Sequence, residues 1–383
     1  MAAIIAQQDM VNAPPEPQIK KKFKLEELLN SPNLATGLDA DTRQAIGRWV
    51  VGGYVKDLSS RTEWAERNSQ AMKLALQVKE VKTFPWTNCS NVKLPLVTIG
   101  ALQFLARISI LTKGSKLAHF QIQGQDPDGK KIAAAKRISN HIDLQLLDDD
   151  PTWMNMDEQT KFATCILGSG FKKTSYDAVS GMNCSDFVPA QHFVVDYNCK
   201  DLKTATRYTH TVGMDGNKLA ERVKRKIFIE EENSHPSSPD AIITNMLEVT
   251  SRMVQGLAPL AESEEVRVLE QYLWMDLDGD GYREPYIASV REDTGHLYRI
   301  VARFYDDGSI HRRFDARERQ FENLANLATD PKQASALEKK AVEVHNDPDN
   351  TIIRIDPVEF FTKYDFVPSP DGVFYGLGFG VIL

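Results

Sequence analysis

The sequence predicts an α+β protein in which N-terminal helices are followed by mainly antiparallel strands with helical insertions. Between residues 39 and 167, apolar residues recur largely at helical spacing. From about Gly170, short alternating runs such as FKKTSYD and HFVVDY are separated by turn residues, as in antiparallel strands. No G-x-G-x-x-G follows a strand pattern, and G-x-x-x-x-G-K-[ST] occurs nowhere in the 383 residues. Helices first and strands afterwards argue against a doubly wound parallel sheet.

The N-terminal segment is predicted to be a flexible arm covering residues 1–38. Its Pro, Gln and Lys content up to Lys24 is typical of disorder, and it lacks the charged and apolar regions of a secretion signal. The basic run Lys20-Lys21-Lys22 has two interpretations: contact with nucleic acid or an acidic neighbour, or a solvated tail.

Residues 39–170 are predicted to be mainly helical. Asp39 or Asp41 can cap a helix that extends to about Leu58, with a weak point at Gly52-Gly53, and a second helix runs from about Arg61 to Val78. Pro95 opens a helix that is apolar on most sides and is therefore expected to be buried. The segment Lys116 to Gly124 alternates like a strand, and helices follow over residues 130–147 and 153–167.

Residues 171–383 are predicted to be rich in strands. The runs VRVLEQYLWM and REPYIASVRE flank the turn DLDGDG and form a hairpin candidate, which LYRIVARFYD extends. Helices are expected at about residues 217–226, 239–253 and, in an Ala-rich polar stretch, 316–344.

Composition excludes several classes of protein. No run of about 18 apolar residues, the length needed to span a bilayer, is present. The net charge of −7 lacks the Lys and Arg excess of a general DNA-binding surface, although an acidic protein can line a passage that DNA must not adhere to. The cysteines show no C-x-x-C or metal-ligand spacing, so reduced thiols are expected at Cys89, Cys165, Cys184 and Cys199.

The sharpest local motif is the run from Asp276 to Gly281, in which three carboxylates alternate before a glycine, as in the first half of an EF-hand calcium loop. The candidate metal ligands are Asp276, Asp278 and Asp280, with Glu284 as a substitute for the missing closing Glu, because that position holds Ile287. A tight turn, which Asp and Gly favour, is the alternative. A two-metal hydrolase would need more ligands, and the nearest histidines, His296 and His311, stand in no motif.

Two further sets of residues have open interpretations. The acidic run Asp148-Asp149-Asp150 is read as a solvated helix end stopped by Pro151, with contact to a basic neighbouring subunit left open. The tryptophans lie in or beside apolar patterns and are read as core residues or subunit-interface anchors; they are Trp49, Trp64, Trp86, Trp153 and Trp274. No G-x-S-x-G nucleophile elbow is present, so no catalytic residue is assigned.

Several stretches, in their order and spacing, resemble the portal proteins of tailed bacteriophages, in particular the podovirus-like group. The resemblance covers roughly Arg48 to Leu383. Its motifs are Lys82 to Trp86, Asn91 to Pro95, AKRISNHIDLQLL with Trp153, ILGSGFKKTSYD, SDFVPAQHFVVDYNCKDLKTATRYTH, YLWMDLDGDGYREPYI and FVPSPDGVFYGLGFG.

The resemblance implies a structural subunit and not an enzyme. Portal proteins form a ring, expected here to be a dodecamer, at one vertex of the capsid in the virion, after assembly in the host cytoplasm. DNA enters through the ring during packaging and leaves through it at ejection. The implied partners are the major capsid and scaffold proteins, terminase, head-completion or tail adaptor proteins and the DNA in the channel, with no membrane and no cofactor beyond the calcium of the candidate loop.

The resemblance also implies which part of a portal this chain represents. The family pattern continues beyond Leu383 into a long helix. The chain is therefore expected to hold mainly the wing region, helical over residues 39–170 and β-rich over 171–383, without stem, clip or tunnel loop. A metal-dependent hydrolase and a calcium-stabilised interaction module, both built on Asp276, Asp278 and Asp280, remain the competing hypotheses.

Overall fold

The computed structural model confirms the α+β class, with helices concentrated before residue 168 and antiparallel sheets after it. It describes residues 16–17, 19, 21–78, 83–87, 89–90, 94–112, 117–118, 120–177, 181–231, 245–256, 265–328, 331–345, 347 and 349–382. Among these residues, no helix has both the length and the apolar character needed to cross a bilayer.

The described helices closely follow the predicted periodicity. They are α1 Leu25–Asn30, α2 Ala40–Ser60, α3 Thr62–Ala75, α4 Leu96–Thr112, α5 Lys130–Leu144, α6 Trp153–Leu167, α7 Gly216–Lys224, α8 Met246–Gln255, α9 Asp306–Ser309, α10 Asp315–Leu327, α11 Pro331–His345 and α12 Phe379–Ile382. Asp39 caps α2 as predicted, because its side chain accepts a hydrogen bond from the amide of Thr42. The helix runs through Gly52-Gly53, so the weak point expected there is wrong.

The strands form three antiparallel sheets. They are β1 Ser169–Asp177, β2 Met182–Val188, β3 Phe193–Val195, β4 Arg207–Met214, β5 Val266–Met275, β6 Glu284–Arg291, β7 Leu297–Ala302, β8 Ile310–Arg312, β9 Ile352–Ile355 and β10 Phe361–Asp365. The largest sheet has the order β3-β4-β5-β6-β7, a second has the order β10-β1-β2, and β8 pairs with β9. The predicted β5–β6 hairpin is confirmed, with Met275 opposite Glu284 at its closed end.

One hydrophobic core lies between α2 and the five-stranded sheet. Ile46, Val50 and Tyr54 recur every four residues on one face of α2 and are fully buried against that sheet. Gly47 permits the close approach of the helix, since an added Cβ would lie 1.8 Å from the carbonyl oxygen of Gly295. A second core joins α3 and α6 to β1 and β3 around Phe171 and Phe193.

The N-terminal boundary predicted from sequence is wrong. Residues 21–38, assigned to the flexible arm, pack on the first core because Phe23, Leu28 and Leu34 bury their side chains there. The amide of Phe23 also donates to the carbonyl of Leu277 at 3.1 Å. Residues 1–15 and Lys20 lie outside the described residues.

Two local predictions in the helical part also fail. Described residues between 117 and 124 form no strand, and two of them instead bond to α5, where the amides of Leu117 and Ala118 donate to Asp143. Helix α4 was expected to be buried, but it buries one side only, so that Leu102 and Ile110 are exposed. Parts of other predictions lie outside the described residues, namely Lys116, His119, the first residues of the helix predicted at 239–253, and the motif positions Lys82, Asn91, Val92, Lys93 and Leu383.

Candidate metal-binding loop and surrounding networks

The four acidic residues singled out in the sequence converge at the closed end of the β5–β6 hairpin. One carboxylate oxygen from each of Asp276, Asp278, Asp280 and Glu284 lies within 4.8 Å of the others. Glu284, the first residue of β6, is buried, whereas Asp280 is exposed. Calcium is held by six to eight oxygens at about 2.3–2.6 Å, so carboxylates at this spacing can share one ion.

Hydrogen bonds within the loop fix the turn. The two carboxylate oxygens of Asp276 accept from the amides of Gly279 at 2.6 Å and Gly281 at 3.0 Å. Asp278 and Asp280 each accept from the amide two residues further along, as in Asx turns. Gly279 and Gly281 have φ angles of +72° and +93°, the left-handed backbone that the turn interpretation required.

Burial makes Asp278 and Glu284 costly to ionise. Burial and then the charge of Asp278 raise the pKa of Glu284 to about 7. Burial, followed by the neighbouring Asp280 and Asp276, raises the pKa of Asp278. The cost of burying the Glu284 carboxylate is partly offset, because the hydroxyl of Tyr286 donates a hydrogen bond to it at 3.0 Å. A bound divalent cation would stabilise the ionised forms and lower both pKa values.

Other features favour a structural turn. The loop is flanked by strands and not by helices, and Ile287, at the closing position of an EF-hand, pairs with Tyr272 inside the sheet. The ammonium of Lys22, from the basic run with two open interpretations, donates to the carbonyl of Gly279 at 2.9 Å. This positive charge partly offsets the acidic cluster without a metal ion.

The histidines that a hydrolase would need lie elsewhere. His296 stacks edge-on against Tyr298, and His311 contacts Asp356 at 2.9 Å. The carboxylate cluster found in the described part of the chain contains no histidine. In the acidic run, Asp150 is buried and bonds to Thr152, while Asp148 and Asp149 are exposed. Asp148 and Asp149 belong to a π-helical turn, Gln145–Asp149, that follows α5. The run is therefore a helix end as predicted, but it is only partly solvated because Asp150 is buried.

A buried ionic network that the sequence did not indicate surrounds Arg267. This arginine, at the start of β5, lies 3.0 Å from Glu248 of α8 and 2.9 Å from Glu292, which follows β6. All three side chains are buried, and Arg267 and Glu292 lie near Tyr54. One guanidinium cannot neutralise two carboxylates, and burial raises the pKa of Glu292 to about 7 and also raises the pKa of Glu248. Only the tertiary fold brings these residues together, so no local motif signals them.

Two further buried charges connect the sheets and helices. Glu270 of β5 bonds to Lys173 of β1 at 2.7 Å, which joins the two larger sheets, and this lysine lowers the pKa of Glu270 despite its burial. Arg61, fully buried between α2 and α3, donates to the carbonyls of Ala190 and Phe193 and to the hydroxyl of Tyr375.

Helix α4 presents an apolar surface. Leu96, Ile99, Leu102 and Ile110 lie on one side of the helix and are all exposed, Ile110 by 77%. The opposite side, with Val97 and Ala101, is buried in the second core. Helix α4 is thus apolar on both its buried and its exposed faces.

No family model matches the chain, and no curated protein matches it significantly.

Proposed function

We propose that this chain is a subunit of a portal ring, the structural conduit through which DNA passes at a capsid vertex. The observation that carries the proposal is the exposed apolar face of α4, taken with the family resemblance of residues 48–383. The proposed partners are further copies of the chain, the capsid and scaffold proteins, terminase, the head-completion or tail adaptor proteins and the DNA inside the ring.

The exposed face of α4 favours a subunit that assembles. Contiguous apolar patches are uncommon on monomeric proteins and mark interaction sites. Burying apolar surface contributes about 25 cal/mol for each Å², so covering side chains as large as Leu102 and Ile110 gives a substantial driving force. A surface of this kind on a helix also suits a ring, in which every subunit must contact two neighbours.

The charge and the internal networks agree with a passive wall. The net charge of −7 disfavours adhesion to DNA. Several ionisable clusters serve packing: Arg61, Arg267 and Glu270 each connect different elements of the fold. A conduit needs such rigidity more than it needs reactive groups.

Negative-stain imaging and sedimentation velocity over a range of protein concentrations test the proposal. Closed rings with a central hole are expected at high concentration. An Ile110→Lys variant should lose the rings while its melting temperature stays close to that of wild type, because Ile110 is exposed in the single subunit. Strictly monomeric wild-type protein at every concentration would overturn the proposal.

A calcium-stabilised module is the second candidate, favoured by the convergence of the four carboxylates within 4.8 Å. If the loop binds calcium, millimolar calcium raises the melting temperature, and Asp278→Asn removes the gain while keeping the oxygen that accepts from the amide of Asp280. An unchanged melting temperature would mean that the loop is a structural turn and not a calcium site. If the chain is a hydrolase, it turns over a substrate and Asp278→Asn abolishes that activity. If it is a portal subunit, Asp278→Asn changes at most its stability.

A further inference from the structure

An apolar groove opens on the surface where α3, α6, α8 and β2 meet. It has a volume of about 250 Å³. Most of its lining is apolar: Met72, Leu76, Phe162, Ala163, Ile166 and Phe187. An apolar cavity of about 150 Å³ already accommodates a benzene ring, so this groove has room for a larger aromatic side chain.

The walls of the groove are held firmly in place. Met72 and Ile166 are buried parts of the second core. The hydroxyls of Ser69 on α3 and Thr250 on α8 are hydrogen-bonded at 2.5 Å, which fixes these two helices relative to each other. The polar residue Gln255 lies at the edge, where its amide nitrogen donates to Ser251. Its carbonyl oxygen is the kind of acceptor that a buried indole N–H requires.

An exposed aromatic pair projects from a turn elsewhere on the same chain. Phe84 is 85% exposed and Trp86 is 67% exposed. The turn is closed by a hydrogen bond of 3.2 Å from the amide of Cys89 to the carbonyl of Trp86. Neither aromatic residue lines the groove of its own chain. The chain therefore presents a large uncovered aromatic pair and an uncovered groove at two different places.

We propose that Trp86, with Phe84 beside it, inserts into the groove of a second copy of this chain. The inference rests on the proposed ring. A contact between two different surfaces leaves each dimer with one free aromatic pair and one free groove, so the contact can repeat, and it builds a ring when the rotation between neighbours closes. A tryptophan seated in an apolar pocket is also the kind of anchor that dominates the energy of interfaces.

Two variants test the two sides of the contact separately. Trp86→Ala removes the anchor, and Ala163→Trp fills the groove, with Ala163→Leu as a milder replacement if the larger residue impairs folding. Each should weaken self-association by about tenfold or more in sedimentation velocity. Tyr176→Ala is the matched control, because Tyr176 is an aromatic residue of similar exposure, 65%, outside the groove. It should assemble like wild type.

Mixing the variants identifies a head-to-tail contact. The Ala163→Trp protein keeps its aromatic pair, and the Trp86→Ala protein keeps its groove. At a protein concentration at which each variant alone stays monomeric, an equimolar mixture should therefore form heterodimers that grow no further. Rings that either variant alone forms at the same concentration as wild type would overturn the inference while leaving the proposed function standing, whereas strictly monomeric wild-type protein would overturn both.

Disulfide trapping separates a contact between copies from one within a copy. Mixed Trp86→Cys and Ala163→Cys proteins should give a cross-linked dimer under oxidation that neither protein gives alone. Wild type controls for the native cysteines. A chain carrying both substitutions that cross-links only internally, with no dimer in the mixture, would show that the aromatic pair fills its own groove and would overturn the inference.

Discussion

Arg61 illustrates how a single buried charge organises this fold. Its guanidinium is fully buried, and in the described part of the chain it forms no ion pair with a carboxylate. It is stabilised instead by the carbonyls of Ala190 and Phe193, by Tyr375 and by the ring of Trp64 at 5.2 Å. The residue therefore fastens the loop before β3 and the C-terminal Tyr375 to the junction of α2 and α3.

We expect Arg61→Met to lower the free energy of unfolding by about 3 kcal/mol, because buried carbonyl groups lose their donors. Arg61→Lys should recover only part of this loss, since an ammonium cannot reach the same acceptors in the same plane. Urea titration provides the measurement. Arg67→Met, at an exposed arginine on α3, is the control and should change stability by less than about 0.5 kcal/mol. Equal losses at both positions would contradict the role given to Arg61.

Gly279 has a left-handed backbone conformation in the acidic turn that a residue with a side chain would adopt only under strain. Its φ of +72° disfavours any residue with a side chain, and an added Cβ would lie 2.7 Å from the side chain of Lys22. Gly279→Ala should therefore lower stability by about 1–2 kcal/mol, as measured by thermal melting. Gly216→Ala, at the first position of α7 with no atom close to the new methyl group, should be neutral or stabilising. A neutral Gly279→Ala would mean that the turn readily adopts another conformation.

The sequence could predict some clusters of charged residues but not others. Asp276, Asp278, Asp280 and Glu284 were identifiable as a group because their spacing is local, and the structure brings their carboxylates together. Glu248, Arg267 and Glu292 were not, because their contacts join different elements of the fold. An isolated charged residue in a strand or helix gives no local signal that it will be buried.

At the scale of elements, α8 depends on the ionisation of the network beneath it. Glu248 attaches α8 to Arg267, and Glu292 competes for the same guanidinium. Burial raises the pKa of Glu292, and Glu248 and Asp293 raise it further, whereas Arg267 lowers it. Burial and Glu265 raise the pKa of Glu248, whereas Arg267 and Arg252 lower it. A raised carboxylate pKa means that the folded state holds its proton more tightly than the unfolded chain does. The stabilisation from protonated Glu292 is fully present below about pH 4.5 and is lost as pH rises through about 7.

We therefore expect Glu292→Gln, which imitates the protonated carboxyl, to stabilise the protein at pH 8 by about 1–2 kcal/mol and to change little at pH 5. Hydrogen exchange in α8, corrected for intrinsic rates, should show protection that falls between pH 6 and 8 in wild type but not in the variant. Glu322→Gln, at an exposed position on α10, is the control. A stability gain equal at both pH values would indicate better packing and not the loss of a charge.

Helix α4 shows where prediction of elements reaches its limit. The helix itself follows from apolar spacing after Pro95, and the structure has it over Leu96–Thr112. Its burial did not follow, because a sequence that is apolar on all sides does not reveal whether one side faces the same chain or another. The strand expected at residues 116–124 failed for a related reason: alternation over so short a run also suits an extended segment lying along a helix.

At the scale of the whole molecule, net charge predicts how weakly the chain would bind DNA. Non-specific binding to a duplex is driven by counterion release, which requires Lys and Arg clustered against the phosphates. This chain has 46 basic and 53 acidic residues, so its average field repels DNA. The basic run at residues 20–22 is partly engaged within the protein, because Lys22 bonds to the acidic loop.

We therefore expect a dissociation constant for duplex DNA weaker than about 10⁻⁴ M at physiological salt, the weak end of non-specific binding. Fluorescence anisotropy with a labelled duplex measures it, and a salt series should show almost no dependence. A variant with Asp148→Lys and Asp149→Lys is an informative comparison, because it adds positive charge at an exposed helix end without touching the core. Micromolar, salt-dependent binding by the wild type would contradict a wall that lets DNA slide past and would instead favour a surface that holds it.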